Sequence, residues 1–221
     1  MKEGQVRSEL VQHRKPELFE NDIPQERLEH YLKKSVVAVD TETRGLIYRR
    51  DRLCLIQICD DEGVVSFVRF KTGDDLVGGS PNCKKLFESP DVVKLFHFAR
   101  FDVAVLKYYL GIEVGPLFCT KIGSKLVRTY TDKHGLKDLV KELLAIELDK
   151  SDQTSDWAQS HLTDSQLEYA ANDVRVLLPL YNKVLELLKR ESRLQLAQKL
   201  YQALPAICEL DIMGWSNIFE H

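Results

Sequence analysis

Three widely separated stretches carry acids at spacings that chemistry could use. The first is Asp40-Thr41-Glu42, closing the β-branched run Ser35–Asp40. Side chains alternate along an extended chain, so Asp40 and Glu42 share a face while Thr41 points the other way. Two carboxylates beside an apolar strand suit a hard divalent cation, which takes oxygen ligands. A lone D-x-E says little, because Asp60-Asp61-Glu62 repeats it in what reads as a solvated turn. The second stretch holds Asp102, at the beginning of a helix after the strand Val93–Phe98. Free N–H groups and the helix dipole favour an acid there, which alone would account for it. Strand carboxyl ends are also where α/β sheets place their sites, and Asp40 and Asp102 both fall there. In the third stretch, Thr163-Asp164-Ser165-Gln166 is a capping-box pattern opening a helix. Leu167, Ala170, Ala171, Val174, Leu177 and Leu178 trace its apolar stripe. Tyr169 and Asp173, four apart, border that stripe on one face. An acid at a buried margin needs a partner, and a bound metal would supply it.

Acids converging from several segments are what phosphodiester cleavage requires. The reaction needs a hydroxide near neutral pH and neutralised phosphoryl oxygens, and two divalent ions about 4 Å apart supply both. Tyr169 could orient the attacking water. A phenol with an ordinary pKa near 10 is a poor base unaided, so the metal must acidify the water.

The elements that would position these groups are legible in outline. Residues 1–22 read as a polar, aperiodic arm. Pro24 to Lys34 reads as a short helix with Leu28, Tyr31 and Leu32 on one face. Strands are expected at Ser35–Asp40, Leu53–Cys59 and Val64–Phe70, the last two as a hairpin around Asp60–Gly63. A helix over Asn82–Glu88, a strand over Val92–Phe98 and a helix from about Phe101 to Leu110, stopped by Gly111, come next. Leu117–Cys119 is a short fifth strand, and the remainder is mainly helical. This order predicts an α/β fold built on a mixed sheet.

Composition narrows the class. At 221 residues the chain suits one domain, with no second domain evident. No segment has the apolar length of a membrane span, and the first 20 residues lack the apolar core of a signal peptide, so the expected location is cytoplasmic. Five cysteines without a C-x-x-C pair read as reduced and buried. A net charge of −3 gives no overall basic surface, which leaves either no nucleic-acid partner or a local site for short pieces.

The blocks AVDTETRGL, LFHFARFDVAVL and LEYAANDVRVL, in this order, closely resemble the DEDD exonuclease superfamily. Tyr169 marks its tyrosine subclass, the ribonuclease D-like enzymes; the histidine subclass would carry His where Glu168 stands. The match runs from about Ser35 to Leu188. FCTKIGSKLVRTYTDKHGLKDL and TSDWAQSHLTDSQLEYAANDV further resemble the nanoRNase C branch. The resemblance implies a ribonuclease H-like sheet flanked by helices, with a helical C-terminal tail. It implies one 3′-5′ exonuclease domain over residues 23–221, without additional helical nucleic-acid-binding domains. It also implies two divalent cations, Mg2+ or Mn2+, and hydrolysis of short RNA, especially 5′-phosphorylated dinucleotides, to nucleoside 5′-monophosphates by a homo-octameric ring. By the same resemblance Asp40, Glu42, Asp102 and Asp173 hold metal, Asp40 bridging both ions, and Tyr169 positions the nucleophile. Leu46 matches a leucine that wedges between two bases, and Gly45 lets that loop approach closely.

Further substrate contacts are expected from Thr41, His97, Phe98 and Arg100, with Phe98 able to stack on a base. Lys121, Arg128 and His134 belong to a locally basic stretch with Lys125, Lys133 and Lys137, from which some phosphate contact is expected. Core packing for Phe98 and plain solvation for the basic residues are the bland counterparts. Two rival functions stand: processing of longer RNA 3′ ends or DNA degradation by the same chemistry, and a nonenzymatic nucleic-acid-binding module. The latter would have lost an acid, and none is lost here.

Overall fold

The computed structural model describes residues 15–47, 49–74, 76–148, 155–215 and 217–218. Its centre is a six-stranded mixed sheet, ordered β1-β4-β3-β2-β5-β6. β2 (Val36–Thr43) lies in the middle, antiparallel to β3 (Leu53–Cys59), which is antiparallel in turn to β4 (Val65–Arg69). β5 (Val93–Phe96) and β6 (Leu117–Cys119) extend the other side of β2 in parallel. β3 and β4 are buried along their whole length, as their apolar, β-branched sequences require.

The edge strand β1 (Glu17–Glu20) pairs parallel with β4 and falls inside the stretch expected to be an arm. The sheet recruits it through main-chain bonds, while its side chains stay largely outside the core. Residues 1–14 lie outside the described residues.

Helices cover the sheet. α1 (Gln25–Tyr31) anchors Leu28 and Tyr31, whose hydroxyl donates to Ser66 at 2.8 Å. α2 (Pro81–Glu88) packs beside α1, and α3 (Ala99–Leu110) follows β5 and ends on Gly111 at φ +63°. α4 (Thr120–Val127) and α5 (Leu136–Leu144) lie against α7 (Leu177–Arg190). The helix expected from Thr163 onward breaks at Val176, giving α6 (Asp164–Arg175) and α7. The Thr163–Gln166 capping box is present at its start. α8 (Leu194–Met213) returns along α3, completing the helical C-terminal region. All five cysteines are free and buried, and no helix among the described residues is long and apolar enough to cross a membrane.

Candidate active site

β2 and β5 are parallel neighbours, so their carboxyl ends open on the same side of the sheet. Asp40 and Glu42 stand near the end of β2, where the pairing register with β3 shifts between Glu42 and Thr43. Asp102 lies in the first turn of α3, which leaves the end of β5. Tyr169 and Asp173 project from α6, which packs across β2 and β3. All five line one open cleft of ≈ 600 Å³.

Within it, one oxygen from each of Asp40, Glu42 and Asp173 can lie within 4.8 Å of the others. Asp102 stands slightly apart. Its Oδ1 accepts the Thr41 hydroxyl at 2.7 Å, so Thr41 is turned toward an acid of the site. The Tyr169 hydroxyl donates toward Asp173, which partly offsets that acid's burial.

The electrostatics are those of acids crowded together in a buried cleft. Burial and the charges of the other acids raise Asp40 well above the carboxylate range, and Glu42 likewise. Burial pushes Asp102 up to about 7 and Asp173 up to about 6. Burial and the adjacent acids also hold the Tyr169 phenol protonated far above neutrality. Carboxylates so disposed repel one another until positive charge arrives, and hard divalent ions are the cations that clustered oxygens select. The residues present fit such ions.

The rim is apolar and aromatic. Leu46 is 83% exposed and Phe98 46%, both lining the cleft. Phe98 caps α3 in the left-handed region, φ 74°, which turns its ring outward; Lys121 Nζ lies 4.0 Å from the ring centroid. His97 also lines the cleft; its Nδ1 contacts the Thr120 hydroxyl at 2.9 Å. Burial and Lys121 push its imidazole down to about 3, against a weaker opposing contact with the His134 main chain, so it acts as a neutral ring.

Three expected substrate contacts are engaged elsewhere. Arg100 grips Asp211 of α8 with Nε and Nη2, at 2.6 and 2.7 Å, and joins α3 to α8. Arg128 is 2% exposed and ties Glu142, Ser124 and the Lys133 carbonyl together as a strut between α4 and α5. His134 contacts Ser124 at 2.8 Å. The cleft and the recess beside it bring in further residues that were given no individual role in the sequence, and Lys137 from the expected basic stretch. Arg44 and Phe101 flank motif acids, Ser155 and Trp157 come from the segment before α6, and Lys137 borders an adjoining recess with Asp40 and Lys121. Proximity to Asp40 and Asp102 was the available signal for Arg44 and Phe101; for Ser155 and Trp157 it was the resembling stretch TSDWAQSHLTDSQLEYAANDV, since their own segment is aperiodic.

A second group, His30, Asp60 and Glu62, also brings potential ligand atoms together. There Lys34 already supplies positive charge, 3.0 Å from Asp61 and in contact with Glu62.

Acids from two parallel strand ends and a crossing helix, under an apolar rim, define the class: an acidic cleft whose clustered oxygens fit divalent cations. The family described as 3′-5′ exonuclease matches residues 18–189, and the chain belongs to it. It is 34% identical over 168 residues to ribonuclease D of Gluconacetobacter diazotrophicus, covering 76% of this chain and 41% of that protein. The chain thus spans about two fifths of that curated relative's length. It also matches the structure of Brucella melitensis NrnC with bound Mg2+ at 42% identity and TM-score 0.86, over 94% of this chain and 100% of that one. NrnC bound to pGG matches at 43% identity and TM-score 0.86, over 93% and 98%.

Proposed function

We propose that the protein is a 3′-5′ exoribonuclease that hydrolyses short oligoribonucleotides, 5′-phosphorylated dinucleotides above all, to nucleoside 5′-monophosphates. The observation that carries this reading is the pairing of clustered acids with an exposed Leu46 and Phe98 in one cleft. Full-length likeness to a nuclease whose structure holds pGG supports the short substrate.

Asp40, Glu42 and Asp173 would hold one divalent cation, Mg2+ or Mn2+, and Asp40 with Asp102 a second. The ions supply water acidification and neutralisation of phosphoryl charge. Tyr169, kept protonated, donates a hydrogen bond that orients the attacking water and takes no proton from it. Leu46 separates the two bases flanking the scissile linkage, and Phe98 offers a face for one of them. Lys121 and Lys137, beside Asp40 in the adjoining recess, offer charge to a terminal phosphate. The protein acts in the cytoplasm as a homo-oligomer, an octameric ring by the likeness of its motifs.

The test is a comparison of a 5′-phosphorylated dinucleotide with longer RNA and DNA on purified protein. Preferential turnover of the dinucleotide is expected; equal turnover across lengths would overturn the dinucleotide preference. Light scattering that returns a monomer would overturn the ring.

A further inference from the structure

We infer that Asp51 is a positioning residue that sets substrate specificity by holding Leu46 over the metal-binding acids. The inference rests on the reading of Leu46 as the contact between bases.

Leu46 is 83% exposed, an unusual posture for a large apolar side chain at the mouth of an acidic cleft. Exposure means that packing does not hold it, so its direction must come from the backbone on either side. The loop joining β2 to β3 is closed at its base by the Arg44 N–H, which donates to the Arg52 carbonyl at 3.0 Å. Farther out, the Ile47 carbonyl accepts the N–H groups of Arg50 at 2.8 Å and Asp51 at 2.6 Å.

Inside this loop sits the Asp51 carboxylate, on a residue only 7% exposed. Its Oδ2 accepts the Ile47 N–H at 2.9 Å. On the other side of Leu46, a Cβ placed on Gly45 would overlap this same carboxylate. Gly45 is therefore demanded by close approach to an acid rather than by its backbone angles. The two neighbours of Leu46 both rest on one carboxylate, which fixes the short arc that carries the leucine. Arg50 Nε and Nη2, at 2.7 and 2.9 Å, hold the carboxylate from the solvent side.

Asp51 does not line the cleft and touches none of the clustered acids. Its influence should therefore fall on substrates with a base on each side of the scissile linkage. The experiment measures kcat/KM for a 5′-phosphorylated dinucleotide relative to the p-nitrophenyl ester of thymidine 5′-monophosphate, which carries one base. Leu46→Ala should lower this ratio about tenfold, the scale of one lost apolar side-chain contact. Asp51→Ala should lower it similarly, chiefly through KM for the dinucleotide. Asp51→Asn, which keeps an acceptor for the Ile47 N–H, should restore most of the ratio.

In the Leu46→Ala background, Asp51→Ala should change the ratio by less than about twofold, the mark of two residues acting as a unit. If Asp51→Ala leaves the ratio intact while Leu46→Ala lowers it, the inference fails and the reading of Leu46 survives. An additive double variant also overturns it, because Asp51 would then act by another route. If Leu46→Ala itself has no effect, the reading of Leu46 fails and takes the inference with it. Thermal melts of each variant separate these outcomes from loss of fold.

Discussion

The chain writes D-x-E twice around one sheet, and the two copies end in opposite circumstances. Asp60-Asp61-Glu62 occupies the β3–β4 turn, where Asp60 accepts the N–H groups of Glu62 and Val64 at 3.0 and 2.9 Å. His30 and Lys34 meet these acids with their own positive charge or hydrogen bonds. Asp40-Thr41-Glu42 occupies a strand end facing other acids, and its carboxyls are raised by burial and mutual repulsion. Glu62, by contrast, is lowered by its bond to Lys34. The tripeptide is thus uninformative; what distinguishes the two copies is that one carries its own counter-charge and the other faces further acids.

The sharpest way to break this comparison is to remove an acid from the cleft and one from the turn. Asp40→Ala or Asp173→Ala should reduce turnover by about 10³-fold or more with the fold intact, whereas Glu62→Gln should leave turnover unchanged. Comparable losses at both places, by steady-state assay, would erase the distinction. EDTA should abolish activity, with Mg2+ or Mn2+ restoring it. Tyr169→Phe should cost about 10²-fold in kcat with little change in metal requirement; an undiminished kcat would remove the tyrosine from the reaction.

Stability offers a gentler probe. Asp102 is raised by burial from an ordinary 3.8 to about 7, so the native chain binds that proton more tightly than the unfolded chain. Its contribution is fully present below about pH 4 and is lost as pH rises through about 7. Asp102→Asn should therefore raise the metal-free Tm at pH 8 and leave it nearly unchanged at pH 4. Saturating Mg2+ should raise the wild-type Tm by about 5 °C at pH 8 and less at pH 5, where protons compete. Calorimetry showing equal shifts at both pH values would deny the acids their raised affinity for protons. The smallest effect belongs to the turn: Lys34→Met should lower Tm by about 2 °C or less, as partly solvated ion pairs do.

Much of this was legible in the sequence, for physical reasons that differ by element. β2, β3 and β4 announce themselves because burial demands runs rich in apolar and β-branched residues, even where Gln57 or Ser66 interrupts them or β2 ends in acids. β1 does not: Glu17–Glu20 offers four residues, and Leu18 is 40% exposed, so its pairing comes from the open edge of β4. The break at Val176 is hidden because the apolar stripe continues from Val174 to Leu177 across it. The acids were traceable because local spacing places them on faces and at strand ends. The bond of Arg100 to Asp211 was not legible, because that partner lies 111 residues away and no local pattern reports such a pairing. Nor was the burial of Arg128, whose charge meets Glu142 on the next helix. Basic residues near a motif can be fasteners, and only tertiary structure says which.

The outward ring of Phe98 has one more consequence. A phenylalanine held at φ 74° sits where L-residues are rarely comfortable, at a cost of about 1 kcal/mol. Phe98→Gly would relax that corner while deleting the platform above the acids, so the variant should melt no lower than the parent yet turn over dinucleotides poorly. At this corner durability and performance pull in opposite directions. Selection for heat tolerance alone would be expected to erode catalysis here first.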